Sequence, residues 1–568
     1  MPQFLTKNLP LLGQLKSYDG ELFKSDLIAG LTTAIMLIPQ AMAYAMLAGL
    51  DPIVGLYAST IPIILYSLFG TSRQLAVGPV AMVSLLVASG VTPLVAEGDA
   101  ASYLLYSTIL AGMVGVMQLA MGVVRLGFLV KFLSHPVIAG FSSAAAIIIG
   151  LSQLKHVLGV DIKRSHHVHE ILLQAIERAP ETNLVALGIA AASIVTLMVL
   201  KKFAPRFPRF LLVVVGGTLA VWGLGLNVAI VGDVPAGLPA PGLPSLDAGV
   251  LSELLPIAIT ISLVSFMESI SVAKAFARKN GYEVDANQEL KGLGLANIGA
   301  FFFGGYAVTG GFSRTAVNAQ AGAKTGLAGI ITGVVVIATL LFLTPLFHFL
   351  PKAVLAAIIM TAVFGLVDIK EAKHLWQVDR GDLALMGLTF VATLGLGIEQ
   401  GILVGVAASL IRFVWLTSSP HVAVLGRLPD SDVYRNVERN DDAIVTPGVL
   451  CVRVDAPLYF ANSLFLKQTV NDLLEKQTEP IHHIVLDAKV IGSIDSSGLS
   501  AFEEICADLK SRDIQVWLAG VRGPVLDRLR SAHIIEQVGE QHLVQRVHEA
   551  VDRATGKPPK LSVVGGEA

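Results

Sequence analysis

From Leu27 to about Thr417 the chain is a succession of long apolar runs split by short loops, and from Val422 onward the pattern is that of an ordinary soluble domain. A run of about 20 apolar residues can cross a bilayer as a helix. Such runs lie near 27–49, 53–69, 103–124, 136–154, 184–200, 210–231, 254–276, 325–346, 353–367, 382–398 and 399–417, with a weaker one at 289–304. Two further stretches, Gln74–Ser89 and Gly305–Gly322, interrupt the apolar sequence in the same manner: a few extended residues, then Gly with or without Pro, then a short helix. A broken helix at membrane depth is tolerated only where protein or a water-filled cavity surrounds it. Paired breaks at matching places in two halves of a chain point to a transporter's binding site. With both breaks counted, about fourteen crossings are predicted.

Loop charges agree with that count. With the N-terminus inside, the inside segments hold Lys7, Lys16 and Lys24; Arg73; Arg125 and Lys131; Lys201, Lys202, Arg206 and Arg209; Lys274, Arg278 and Lys279; Lys324; and Lys370, Lys373 and Arg380. Outside loops are mostly bare, as the positive-inside rule requires. The exception is the loop from about His156 to Glu181, with Lys163, Arg164 and Arg178. Gly78 and Gly310 fall about 230 residues apart, as do the first helices of the two halves. Seven crossings per half is odd, so the second copy is inverted. The expected organisation is a cytoplasmic segment 1–26, a transmembrane domain 27–418 with repeats at about 27–231 and 254–418, a linker 419–440, an α/β domain 441–556 and a flexible tail 557–568. Both termini are placed in the cytoplasm and the chain in a bacterial-type inner membrane.

Composition sharpens this reading in one respect. The 568 residues are 54% hydrophobic and only 15% charged, against about 25% charged in soluble domains, and the mean hydropathy is +0.68. The first apolar run is too long for the core of a cleavable signal and reads as a retained helix. Two cysteines, Cys451 and Cys506, both in the polar part, do not make a disulfide framework. No nucleic-acid partner is expected.

The two breaks carry the candidate chemistry. Each half-helix presents free N–H groups and the positive end of its dipole, a ready anion site. Pro79 suits a first helical turn, Gly310 and Gly311 permit close backbone approach, and Ser313 can cap its helix or donate to a ligand. Arg314 sits where hydrocarbon is expected, and its charge favours an anion; pairing with a carboxylate or snorkelling to the surface is the structural alternative. Glu268 lies inside the run 254–276, and Ser262, Ser265 and Ser269 share helical spacing with it. A carboxylate there can carry a proton, bind Na⁺, or stand as a static partner of Arg314 or of a backbone end. Gln40 and Tyr44 lie on one helix face beside Pro39, which is expected to break that helix and free carbonyls. His166, His167 and His169 read as a solvated loop rather than a metal site. Gly322–Thr325 departs from a phosphate loop, and no hydrolase motif is present, so neither an enzyme, a metal site nor an organic cofactor is expected. In the polar domain, strands alternate with helices, and Asp495-Ser496-Ser497-Gly498 opens a helix. Capping is the ordinary role there; regulatory phosphorylation of Ser496 or Ser497 is the sharper one.

The stretches DLIAGLTTAIMLIPQAMAYAMLAGLDPIVGLY, FGTSRQLAVGPVAMVSLL, FARKNGYEVDANQELKGLGLANI and GGFSRTAVNAQAGAKTGLAG, with VDAPLYFAN and IDSSG, resemble the SulP family of anion permeases, related to pendrin and prestin. The resemblance implies two inverted seven-helix repeats followed by a STAS domain. It also implies a homodimer, a possible cytosolic partner of that domain, and elevator-like movement of a core against a gate. It places Gln40, Tyr44, Gly78, Pro79, Val80, Ser313 and Arg314 at the substrate and Glu268 at the coupling position; Gly311 and Phe312, which adjoin Ser313, are taken with the substrate site. Na⁺-coupled bicarbonate members have Asp there, so Glu268 points to H⁺. The expectation is H⁺-coupled uptake of sulfate or a similar small anion. Na⁺-coupled bicarbonate transport, or a regulatory protein with little transport, are the alternatives.

Overall fold

The computed structural model describes residues 9–128, 134–162, 168–204, 207–239 and 241–556. Lys7, Lys131, Lys163, Arg164, His166, His167, Arg206 and the tail 557–568 lie outside them. The chain divides into two compact units, one ending at Ser409 and the other starting at Leu410.

In the first unit the order is α1 (Gly20–Ala48), α2 (Pro52–Tyr57), α3 (Ile61–Phe69), β1 (Val77–Gly78), α4 (Ala81–Val91), α5 (Ala100–Val123), α6 (His135–Ser152), α7 (Val168–Glu177), α8 (Leu184–Phe203) and α9 (Arg209–Leu224). The same sequence of elements then recurs as α10 (Ala248–Lys279), α11 (Ala286–Phe302), β2 (Thr309–Gly310), α12 (Phe312–Gln320), α13 (Leu327–Phe342), α14 (Lys352–Val363), α15 (Ile369–Val378), α16 (Arg380–Leu396) and α17 (Ile398–Ser418). Taking α2 with α3 and each strand with its half-helix, and leaving aside the amphipathic α7 and α15, each half has seven apolar elements. Among the described residues, six of these helices (α1, α5, α6, α8, α10 and α17), and α2 with α3 taken as one span, are long and apolar enough to cross a membrane.

Packing repeats with the halves exchanged. α5 packs on α10 and α11, and its counterpart α13 packs on α1 and α3; α6 packs on α16 as α14 does on α8. Such swapped pairs are the signature of a pseudo-two-fold axis. The helices thereby sort into a bundle of α1–α5 with α10–α13, and a bundle of α6, α8 and α9 with α14 and α16, which α17 joins where Gly401 and Gly405 meet Thr393 and Thr389 of α16. Glycine permits the tightest of these crossings: a Cβ on Gly140 of α6 would stand 2.2 Å from the Met386 carbonyl of α16.

Two buried carboxylates fix the loops around the breaks. Glu289 accepts from Tyr66 Oη, from both N–H and Oγ1 of Thr71 and from Ser72 N–H, at 2.6–3.0 Å. Asp26 accepts from Lys324 N–H, from N–H and Oγ1 of Thr325, and from Tyr18 Oη. Each satisfies backbone donors that would otherwise be stranded in the bundle.

Several expectations are corrected. α1 runs unbroken through Pro39, because neighbouring helices can compensate for one lost backbone bond. The first element of the second half starts at Ala248, not near 254, and α9 ends at Leu224, short of 231. The loop expected over 156–181 contains the helix α7, whose apolar face is set by Ile171 and Ala175.

The second unit is built on a six-stranded sheet: β3 (Val422–Arg427), β4 (Tyr434–Asn436), β5 (Val449–Val454), β6 (His483–Asp487), β7 (Gln515–Ala519) and β8 (Leu543–Val544), in the order β4-β3-β5-β6-β7-β8. β5 to β8 are parallel, and β3 is antiparallel to both neighbours. The stretch 419–440, expected as a linker, therefore supplies two strands of the sheet. Helices α18 (Ser463–Glu475), α19 (Ser496–Ser511), α20 (Gly523–Ser531) and α21 (Ile534–Val538) cover one face, and α22 (Val547–Ala554) covers the other. Both faces being covered explains the near-continuous apolar strands VLCV and HIVLD. Asp495 caps α19 by accepting from Gly498 N–H, and Ser496 and Ser497 are exposed at its first turn.

Cys451 and Cys506 are buried on opposite faces of this sheet. Burial, reinforced by Asp487, pushes the Cys451 thiol up to about 12; burial, reinforced by Glu503, does the same for Cys506. Thiolate is the reactive form. Iodoacetamide at pH 7.5 is therefore expected to label neither thiol in the folded protein and both after denaturation, read by intact mass. Rapid labelling of native protein would contradict this packing.

Candidate functional site

The two breaks meet. β1 and β2 pair antiparallel, Val77 opposite Gly310 and Gly78 opposite Thr309, and Gly311 N–H donates to the Ala76 carbonyl at 3.2 Å. Each strand turns at once into a half-helix, α4 through Val80 and α12 through Gly311. Gly78 has φ +148°, a backbone conformation that a side chain disfavours. Six of the longer helices begin with a side-chain cap, from Asp19, Asp99, Asn183, Asp247, Asp285 and Asp379. Neither half-helix has one. Their first-turn N–H groups and dipole ends remain for a ligand. Two sequence expectations shift accordingly. Pro79 lies one residue before the helix boundary instead of in the first turn. Ser313 stands in the first turn without capping it.

Arg314 is 2% exposed. Its Nε and Nη2 donate to the Ala76 carbonyl at 3.3 Å, and its Nη1 donates to the Pro79 carbonyl at 2.8 Å. The guanidinium thus crosses from α12 to the strand of the other half and ties the two breaks together. Among the described residues it has no carboxylate within 4.0 Å. Each of its nitrogens donates to a neutral backbone carbonyl and not to a carboxylate, so it adds a positive field at the two helix termini.

Beside them opens a cavity of about 810 Å³. Gln40, Tyr44, Val80, Glu268, Gly311, Phe312, Ser313 and Arg314 line it; Gly78 and Pro79 stand behind its wall. Met36, Gln40 and Tyr44 follow one face of α1, which brings three successive turns to the cavity. Among the described residues, Gln40 Nε2 is buried with no hydrogen-bond partner, and so is Glu268 Oε2. The static pairing of Glu268 with Arg314 is absent. The serine stripe also divides: Ser262, Ser265 and Ser269 turn away into hydrogen bonds with the Ala258 carbonyl, Gln118 and Thr309, leaving Glu268 alone on the cavity side.

The opposing wall comes from the other bundle and was not singled out from sequence. It includes Leu197, Lys201 and Lys202 of α8, Arg209 and Phe210 of α9, and Thr361 and Val363 of α14. The three cations were visible as loop charges, but a count of charges by loop says nothing about which of them face inward.

Residues 23–389 match the sulfate permease family, and residues 441–550 match the STAS domain. The chain is 42% identical to the probable sulfate transporter 4.2 of Arabidopsis thaliana over 93% of this chain and 80% of that protein. It is 35% identical to high affinity sulfate transporter 2 of Stylosanthes hamata, over 95% and 85% respectively. Among solved structures it resembles the murine Solute Carrier 26 family member A9 anion transporter in the inward-facing state, with TM-score 0.90 and 27% identity, over 98% of this chain and 95% of that one. It also resembles the transmembrane domain of the cyanobacterium bicarbonate transporter BicA, with TM-score 0.61 and 25% identity, over 69% of this chain and 98% of that one.

Proposed function

The chain belongs to the sulfate permease family, and from that premise we propose that it carries a small inorganic anion, sulfate above all, into the cell together with a proton. It is a multi-pass membrane protein of a transporter family and not an enzyme. One observation carries the reading: two uncapped helix termini, crossed by an arginine with no carboxylate within 4.0 Å among the described residues, open into one cavity. Helix N-termini stabilise anions, and a guanidinium in a poorly solvated site strengthens that preference. The orphaned Gln40 Nε2 is a donor whose hydrogen bond an oxyanion would complete.

Glu268 is the proton's place in this reading. Glu268 lines the cavity that would hold the anion, and one of its carboxylate oxygens is buried without a hydrogen-bond partner among the described residues. Protonating it removes a negative charge from the site when a dianion must be carried through lipid. Alternating access is read from the two bundles. Gln40, Val80, Glu268 and Arg314 belong to the bundle of α1–α5 and α10–α13, and the facing wall belongs to the other. Sliding the first past the second would carry the site across without dismantling it. Cytoplasmic termini, a bacterial-type inner membrane, a homodimer and a cytosolic partner of the STAS domain belong to the same reading, through the loop charges and the family resemblance.

Purified protein in liposomes, offered labelled sulfate, bicarbonate, succinate and chloride in turn under imposed H⁺ or Na⁺ gradients, tests this. Sulfate accumulation driven by an inward H⁺ gradient is expected, with Na⁺ inert. Bicarbonate uptake that needs Na⁺ would replace the reading, and flux of no anion would favour a purely regulatory role.

A further inference from the structure

β2 has two edges, and β1 occupies only one. The other edge would leave backbone groups unpaired inside a helix bundle, where no water compensates. The carboxamide of Asn297, on α11, fills that place. Its Oδ1 accepts from Val308 N–H at 2.8 Å, and its Nδ2 donates to the Val308 carbonyl at 3.1 Å. A carboxamide offers acceptor and donor side by side, as the backbone of a third strand would. Two residues further along, Gly310 N–H donates to Ser269 Oγ at 2.8 Å.

Asn297 is itself held. Its Nδ2 also donates to Gln118 Oε1 at 3.0 Å, and Gln118 Nε2 donates to Ser265 Oγ at 2.7 Å. Asn297, Gln118, Ser265 and Ser269 are all fully buried, and none of them lines the cavity. Helices α5, α10 and α11 are thereby tied to one short strand that ends at Gly310, directly before Gly311, the N-cap of α12.

We infer that Asn297 is a positioning residue: by standing in for a missing strand beside β2, it sets where the N-terminus of α12 stands in the anion site. This rests on the reading of that terminus as an anion site. A fully satisfied buried network rigidifies what it holds, and an anion contacted by fixed dipoles is sensitive to small displacements of them.

The test compares wild type, Asn297→Ala and the milder Ser269→Ala as purified full-length protein. Hydrogen exchange of peptides covering 305–315 reports the strand, and concentration-dependent uptake of labelled sulfate in liposomes separates KM from the maximal rate. Asn297→Ala is expected to speed exchange in that segment alone and to raise KM about tenfold, and Ser269→Ala to raise it about threefold, with smaller effects on the maximal rate. An unchanged KM with a lowered maximal rate, or faster exchange throughout the bundle, would overturn the inference and leave Asn297 as general packing. Should Asn297→Ala not fold, Ser269→Ala decides by the same two readouts. Wild-type protein without saturable sulfate uptake would remove the transport reading, and the exchange measurement would still decide whether Asn297 and Ser269 hold the strand.

Discussion

Arg314→Ala is expected to lower sulfate uptake at least about 100-fold while the protein still elutes as a folded species. Two losses combine in this variant. The Ala76 and Pro79 carbonyls lose the guanidinium that ties β1 to α12, and the cavity loses its positive charge at the two helix termini. Hydrogen bonds to a charged group contribute about 1.5–3 kcal/mol each, and 2.7 kcal/mol is about a hundredfold in binding. Arg314→Lys separates the two losses. It retains the charge but not the planar fork that reaches two carbonyls at once, so it is expected to recover part of the affinity, to within about tenfold of wild type. Initial rates over a range of sulfate concentrations check both variants. Uptake by Arg314→Ala close to that of wild type would remove the guanidinium from the site.

The second large effect concerns energy coupling. With the membrane potential clamped at zero, one proton per anion and one pH unit supply about 1.4 kcal/mol, enough for roughly tenfold accumulation. In Glu268→Gln that accumulation is expected to vanish, because glutamine carries no proton across. Exchange of internal for external sulfate is expected to persist, because Arg314, Gln40 and both helix termini are unaltered. Glu268→Asp keeps the chemistry on a shorter arm and should retain gradient-driven uptake at a reduced rate. The decisive comparison is between pH-driven uptake and exchange in the same liposomes. If Glu268→Gln still concentrates sulfate down an imposed pH gradient, the proton travels by another group.

Much of this was legible in the residue order, and the exceptions have physical causes. Gly78-Pro79 and Gly310-Gly311 declare a broken element because few other residues interrupt an apolar run that way. Arg314 and Glu268 declare themselves because charge at membrane depth is costly and needs a reason. The direction of Ser262, Ser265 and Ser269 could not be read, since helical spacing says that residues share a side but not what stands opposite. Their spacing grouped them with Glu268, whereas Gln118 and Thr309 draw them to a different neighbour. Asn297 left no trace at all. A lone asparagine in an apolar run has no periodic signature, and its partner Val308 is distinguished only by the register of a two-residue strand. Pro39 misled for the opposite reason: the local rule predicts a break, and the tightly packed surroundings of α1 override it. The strand at 434–436 was missed because a three-residue edge needs the rest of its sheet to be recognised, and the one at 422–427 because it follows the last apolar helix after only three residues.

The antiparallel pairing of Val77 with Gly310 also bears on how the molecule is made. At about 5–20 residues per second, the roughly 230 residues between them take on the order of ten to fifty seconds to leave the ribosome. Throughout that interval the first break has no partner strand and the Ala76 and Pro79 carbonyls no guanidinium, so the amino-terminal half enters the lipid as an unfinished product. Synthesised alone, that half should be a substrate for membrane quality control, and supplying the second half as a separate polypeptide should rescue it.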